Sequence, residues 1–226
     1  MPNPLFPALR ETCRPAWEAY VDHAFVRGMQ DGTLPREAYL RYLRQDYVFL
    51  IHFSRAWALA AVKTDRIAEM RLCAATVNAL IGEEIELHIQ TCAREGISLE
   101  DLEATVEAPA CLAYTRYVTD AGLRGDLLDL LVALAPCVLG YGEIGPRLAT
   151  ATDGPPADHP YAEWIGVYAG DDYQGACRAV ETLIGDVADR TIGPDPQAAP
   201  RWPDLVRQFD TACRLEADFW QHGLTG

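Results

Sequence analysis

The sequence predicts an all-α fold, a single-domain multihelical bundle, on three observations. Apolar residues recur at helical spacing along nearly the whole chain, alternating β patterns are scarce, and the Pro/Gly-rich stretches fall into a few short loops. Half of the 226 residues are apolar, enough for a sizeable core. No polar linker or shift of composition divides them, so the chain reads as one domain over 1–226.

The elements follow in order. Residues 4–22 read as a first helix, with prolines near its start and at Pro15, and 23–29 as a short helical piece. Asp31-Gly32-Thr33-Leu34-Pro35 is a turn; Pro35 suits the first position of a helix, where its missing N–H costs nothing. That helix runs to about Lys63 with a core stripe of Tyr39, Leu43, Asp46, Phe49, Leu50, Phe53 and Trp57. Another long helix is expected from Asp65 to near Gly96. Ser98 and Asp101 resemble a capping box for a short helix, and helices fit 109–122 and 126–150. The stretch 152–160 is the clearest loop; helices over 161–169 and 172–190, a second loop over 193–200 and a last helix over 203–222 complete eight or more.

Charge narrows the function. The net charge is −14, which repels phosphate backbones and argues against nucleic-acid binding. Lys63 is the only lysine and follows no glycine-rich loop, which disfavours Schiff-base chemistry and a P-loop. No run of about 18 apolar residues suggests a membrane span, and no basic-then-apolar start suggests a secretory signal. Seven scattered cysteines with no CxxC pair fit free thiols in a reducing, cytoplasmic setting.

Four places carry possible chemistry. In Ala135-Pro136-Cys137-Val138-Leu139-Gly140-Tyr141-Gly142-Glu143-Ile144-Gly145, Cys137 and Tyr141 share a helix face. A thiol beside a phenol in an apolar segment is a start for a nucleophile in a lined pocket; a small buried hydrophobe is the plainer reading. The G-x-G-x-x-G match at 140–145 is a false lead, because a helix rather than a strand precedes it; the glycines fit close approach of helices or a ligand. Asp46 and Phe49 share a face inside an aromatic stripe, which suits either a salt bridge to an arginine or recognition of an aminated heterocycle. Glu84 and His88 stand four apart, which suits a metal ligand pair or an ordinary hydrogen bond; no second acid/His set accompanies them. Glu216, on a face with Phe219 and Trp220, is either an acid with a raised pKa or one that borders the core. Tyr114 and Tyr168 read as pocket or core tyrosines.

Taken together, these fragments resemble the TenA family, the thiaminase II-like aminopyrimidine aminohydrolases. The carriers are His23-Ala24-Phe25-Val26-Arg27-Gly28-Met29 with Asp31-Gly32-Thr33-Leu34-Pro35, then Gln45-Asp46-Tyr47, Glu84-Ile85-Glu86-Leu87-His88, Ala113-Tyr114-Thr115-Arg116-Tyr117, Pro136-Cys137, Tyr161 to Tyr168, and Glu216 to Trp220. Their order and spacing cover nearly the whole chain. The resemblance implies a haem-oxygenase-like helical bundle, assembled as a homotetramer, needing neither metal nor cofactor. It implies that Cys137 is the nucleophile and that Glu216 shuttles protons. Asp46 would hold the aminopyrimidine edge, Phe49 would stack on the ring, and Tyr114, Tyr141 and Tyr168 would line and orient it. The implied substrate is a small aminopyrimidine or thiamin. A metal-dependent oxygenase using Glu84 and His88, or a non-catalytic pyrimidine-binding regulator, is the alternative. Phe49 stands where many members carry tyrosine, Val138 and Leu139 replace bulkier aromatics, and the stretch between Cys137 and Tyr168 is slightly long; these departures bear on pocket size and substrate preference.

Overall fold

The computed structural model describes residues 3–150 and 159–226, and every regular element among them is helical. The expected first helix is two, α1 (Leu5–Thr12) and α2 (Arg14–Val21). They part at Cys13, because Pro15 has no N–H to continue the ladder and sits instead in the first turn of α2. α3 (Ala24–Gln30) follows, capped by the His23 ring, which accepts from the Phe25 N–H. Pro35 is the N-cap of α4 (Arg36–Val62) rather than its first residue.

The helix expected from Asp65 to Gly96 is one path of uneven width. α5 (Ile67–Ala79) opens into a π turn (Leu80–Glu84) and resumes as α6 (Ile85–Arg94). After α7 (Leu99–Glu103), started by the expected Ser98–Asp101 capping box, and α8 (Pro109–Arg124), the pattern repeats. α9 (Leu127–Ala135) opens into a π turn (Pro136–Gly140) and closes into α10 (Tyr141–Thr150). Residues 152–158 of the expected loop lie outside the described residues. α11 (Ala162–Ala169), α12 (Asp171–Ile192) and α13 (Trp202–Thr225) complete the bundle, and the loop over 193–200 holds a single 3-10 turn (Pro196–Ala198).

The second π turn has a visible cause. Pro136 offers no N–H to the carbonyl four residues back and its ring crowds that carbonyl, so the ladder breaks there. Loosened carbonyls are then met by side chains. The Tyr20 hydroxyl donates to the Pro136 carbonyl at 3.3 Å, and the Tyr173 hydroxyl and Cys177 thiol donate to that of Val138 at 3.2 and 3.4 Å. Pro146, inside α10, leaves the Gly142 carbonyl without its helical donor, and Gln174 Nε2 supplies one at 3.0 Å.

This broken helix is the spine of the fold. Leu127–Thr150 is long and apolar enough to cross a membrane, with a mean hydropathy of 1.7, although its sequence had suggested no such run. Its apolar window is 78 % buried inside the protein, as expected of a core helix. α4 packs against α5, α8 and α13, and α13 packs in turn on α2, α8 and α9. The glycines of the false nucleotide motif let neighbours approach closely: a Cβ would stand 2.3 Å from Tyr20 at Gly140, 2.6 Å from the Cys177 sulfur at Gly142, and 2.4 Å from the Tyr168 backbone at Gly145.

Candidate active site

Both π turns border one cavity of about 630 Å³, a size that suits a small molecule. α4 brings Asp46 to its wall, the first π turn brings Glu84, the second brings Cys137, and Tyr141 follows from α10. Tyr173 of α12 closes another side. The shared face expected for Cys137 and Tyr141 is therefore present on the cavity. Of the seven cysteines, six are buried in packing; Cys137 alone is part-exposed.

The other expected site residues stand in a layer behind the wall. Glu216 is 2 % exposed, and its Oε1 accepts from the Tyr114 hydroxyl at 2.7 Å. Phe49 stacks on the Tyr114 ring, with centroids 5.0 Å apart, rather than presenting a face to the cavity. The Tyr168 hydroxyl donates to Glu84 Oε1 at 2.5 Å. The hydroxyls of Tyr114 and Tyr168, expected as ring-lining tyrosines, are each drawn to a buried carboxylate that needs a donor.

Asp46 has a different partner from the arginine considered above. His88 Nε2 lies 2.7 Å from Asp46 Oδ2, and the Tyr42 hydroxyl donates to the same oxygen at 3.1 Å. Trp164 Nε1 donates to the Tyr42 oxygen at 3.3 Å, and the other nitrogen of His88, Nδ1, is 2.8 Å from the Glu84 carbonyl. Both His88 nitrogens are engaged, so the histidine of this pair offers no free donor to a metal.

The electrostatics follow from burial and from acids facing acids. Desolvation, followed by the nearby charges of Glu216, Glu84 and Asp46, pushes the Cys137 thiol well above its ordinary range. Burial pushes Glu216 up to about 8 against the lowering pull of the Tyr114 hydrogen bond, with the Asp46 charge adding to the rise. Glu216 is therefore a carboxylic acid at neutral pH, able to donate a proton. Glu84 is also raised, by burial first and by Asp46 second. Burial alone would lower His88, but its hydrogen bond to Asp46 and the charges of Asp46 and Glu84 raise it instead.

Sequence reasoning missed three features of this site. It paired Glu84 with His88 but had no signal for Asp46, on a different helix, as the histidine's partner. It gave no signal that Glu84 reaches the cavity, because no proline marks a π turn at Leu80–Glu84 and its lone Gly82 does not specify one. Tyr173 carried no signal at all.

The TENA/THI-4/PQQC family model matches residues 10–226. An aminopyrimidine aminohydrolase of Halalkalibacterium halodurans is 36 % identical over 94 % of this chain and 92 % of its own. A crystal structure from Silicibacter sp. TM1040, described as a TenA family transcription regulator, is 56 % identical with a TM-score of 0.92, covering 98 % of this chain and 96 % of that one. A domain from Shewanella denitrificans with a heme oxygenase-like fold superposes with a TM-score of 0.70 at 14 % identity, over 96 % of this chain and 91 % of that one, which bears on the fold alone.

Proposed function

The chain belongs to the TENA/THI-4/PQQC family, and from that premise we propose that it hydrolyses the exocyclic CH2–N bond of an aminopyrimidine, with Cys137 as nucleophile. The substrate class is 4-amino-5-aminomethyl-2-methylpyrimidine, or thiamin, in salvage of the pyrimidine. The observation that carries the reading is the meeting of Cys137 and Asp46 on one cavity, backed by a buried acid at Glu216.

The chemistry is balanced by these groups. The Cys137 sulfur adds to an electron-poor ring carbon as its S–H proton passes to a ring nitrogen. The electron pair displaced through the ring expels the exocyclic amine, and Glu216 gives that amine its proton. Water adds to the resulting methylene, Glu216 takes back a proton, and the ring expels the sulfur, which regains its proton from the ring nitrogen. The sum is aminomethylpyrimidine plus water giving hydroxymethylpyrimidine plus ammonia.

The raised thiol bears on how the reaction starts. Glu216 is the charge that most opposes a thiolate at Cys137, so keeping Glu216 protonated removes that opposition. A substrate with a cationic end offsets the charges of Glu84 and Asp46 in the same step. The charged side chains on the described wall are all carboxylates, Asp46, Glu83, Glu84, Asp171 and Asp172, which favours a neutral or cationic ligand over a phosphorylated one. Regulation by direct DNA contact is disfavoured by the net charge of −14. The homotetramer is supported by exposed apolar side chains at one end of the bundle. Val62 and Leu123 are 79 % and 68 % exposed there, where Lys63 Nζ donates to the Gly125 carbonyl.

Purified protein is to be incubated with 4-amino-5-aminomethyl-2-methylpyrimidine, without added metal, and the products read by mass spectrometry. The hydroxymethyl product and ammonia are expected. Tight binding without conversion would support a non-catalytic pyrimidine-binding protein instead.

A further inference from the structure

α12 enters the cavity wall through Tyr173, with Ala176 and Val180 following on the same helix face. The Tyr173 hydroxyl donates to the Val138 carbonyl at 3.2 Å, and Val138 is the residue after Cys137 on the second π turn. Its ring meets that of Tyr168 edge to face, with centroids 4.8 Å apart and planes at 78°. The Tyr168 hydroxyl in turn holds Glu84 on the first π turn. One side chain therefore touches both the backbone that carries the thiol and the ring that holds the first turn's carboxylate.

The next residue fixes where that side chain stands. Gln174 Nε2 donates to the carbonyls of Gly142 and Tyr168 at 3.0 and 2.9 Å, which ties the start of α12 to α10 and to α11. The proton of Tyr173 is not available for chemistry. Burial, followed by the nearby Cys177, Glu84, Cys137 and Glu216, pushes its phenol well above the ordinary range. A phenol has one hydrogen, and the Val138 carbonyl takes it. Cys177, one turn further along α12, meets the same carbonyl at 3.4 Å, but a thiol is a weak donor and does not replace a phenol.

We propose that Tyr173 is a positioning residue for this reaction: its hydroxyl sets the Cys137 thiol, and its ring, through Tyr168, sets Glu84. The inference rests on the aminopyrimidine reading above. A π turn interrupts the regular helical ladder, so the direction of its side chains depends on outside contacts. The bond to the Val138 carbonyl limits rotation of the peptide unit that follows Cys137. A nucleophile must stand at near-attack distance, and a displacement of about 1 Å can cost about 100-fold in rate. Glu84 serves binding rather than bond making, so its displacement falls on KM. The two halves of one side chain are thus expected to separate in kinetics.

The test is steady-state turnover of 4-amino-5-aminomethyl-2-methylpyrimidine by full-length wild type, Tyr173→Phe and Tyr173→Leu, with kcat referred to the folded fraction from circular dichroism. Tyr173→Phe keeps the ring and removes the hydroxyl; kcat is expected to fall about tenfold while KM stays within about twofold. Tyr173→Leu removes both; the same fall in kcat is expected together with a rise in KM of about fivefold. Tyr173→Met takes the place of the leucine variant should that one fold poorly. A purely structural tyrosine would lower the Tm and the folded fraction but leave KM, and kcat per folded molecule, at wild-type values in both variants; that result would overturn the proposal. So would a KM that rises equally in Tyr173→Phe and Tyr173→Leu. Absence of turnover by wild type would instead remove the aminopyrimidine reading, and this one with it.

Discussion

The two π turns do the same geometric job in opposite surroundings. Pro136–Gly140 lies in the middle of the molecule, with Leu139 and Val138 buried, Tyr20 beneath it and the spine helix on either side. Leu80–Glu84 lies at the rim, with Ile81 56 % exposed. Each widens a helix just where one side chain must face the cavity, Cys137 from the inner turn and Glu84 from the outer. Each is also matched with a tyrosine–carboxylate pair: Tyr114 with Glu216 behind the inner turn, Tyr168 with Glu84 on the outer. The difference teaches a division of labour. The inner turn, locked by core packing, holds the thiol assigned to bond making, with Glu216 of α13, the acid assigned to proton transfer, behind it. The outer turn, open on one side, holds a carboxylate suited to recognising the cationic end of a ligand.

That division predicts which kinetic constant each change disturbs. The largest effect among the carboxylates belongs to the acid behind the inner turn. Glu216→Gln is expected to lower kcat about 1000-fold with little change in KM, read by steady-state assay. The same variant tests the acid's ionisation. The folded-state pKa of Glu216, about 8, lies above its ordinary 4.5, so the protonated acid stabilises the fold fully below about 4.5. That stabilisation is lost as pH rises toward 8. The Tm of Glu216→Gln should therefore gain on wild type as pH rises across this window; a difference that stays constant with pH would remove the raised pKa from the account.

The outer turn should behave otherwise. Glu84→Gln is expected to raise KM for the aminomethyl substrate about tenfold, near 1.4 kcal/mol, while kcat changes little. A fall in kcat equal to that of Glu216→Gln would erase the distinction between the turns.

The smallest effects sharpen the comparison through packing. Gly140→Ala would force a Cβ to 2.3 Å from the Tyr20 ring, and a loss of about 1–3 kcal/mol is expected in denaturant unfolding. Gly82, inside the outer turn, has nothing within 4 Å of such a Cβ, so Gly82→Ala should be neutral or stabilise by about 0.5–1 kcal/mol. Equal losses at both glycines would mean that the turns are equally constrained.

The same contrast marks what the sequence could disclose. Helical periodicity and the two loops made the bundle legible, and the Ser98–Asp101 box was visible as a pair of residue types at fixed spacing. Pro136 stood in plain view beside Cys137, yet its consequence, a widened turn rather than an ended helix, depends on side chains from Tyr20, Tyr173 and Cys177 that meet the freed carbonyls. Leu80–Glu84 has no proline, and its single Gly82 does not by itself specify a π turn. Cys137, Glu216 and Asp46 could be singled out by chemistry and by resemblance, but their partners could not. His88 was visible, and so was Asp46; that they meet at 2.7 Å is a fact of tertiary contact across 42 residues. Tyr114 and Tyr168 were visible as tyrosines, but that their hydroxyls answer the needs of two buried carboxylates was not.

The central claim is that the part-exposed thiol on the inner turn is the nucleophile. The direct measurement is turnover of 4-amino-5-aminomethyl-2-methylpyrimidine by wild type, Cys137→Ala and Cys177→Ala side by side, with circular dichroism confirming the fold of each. Cys177 is the control, a buried thiol that donates to the Val138 carbonyl of the same turn. The account predicts turnover below detection in Cys137→Ala and retained in Cys177→Ala; hydroxymethyl product formed by Cys137→Ala at a rate near that of wild type would contradict it.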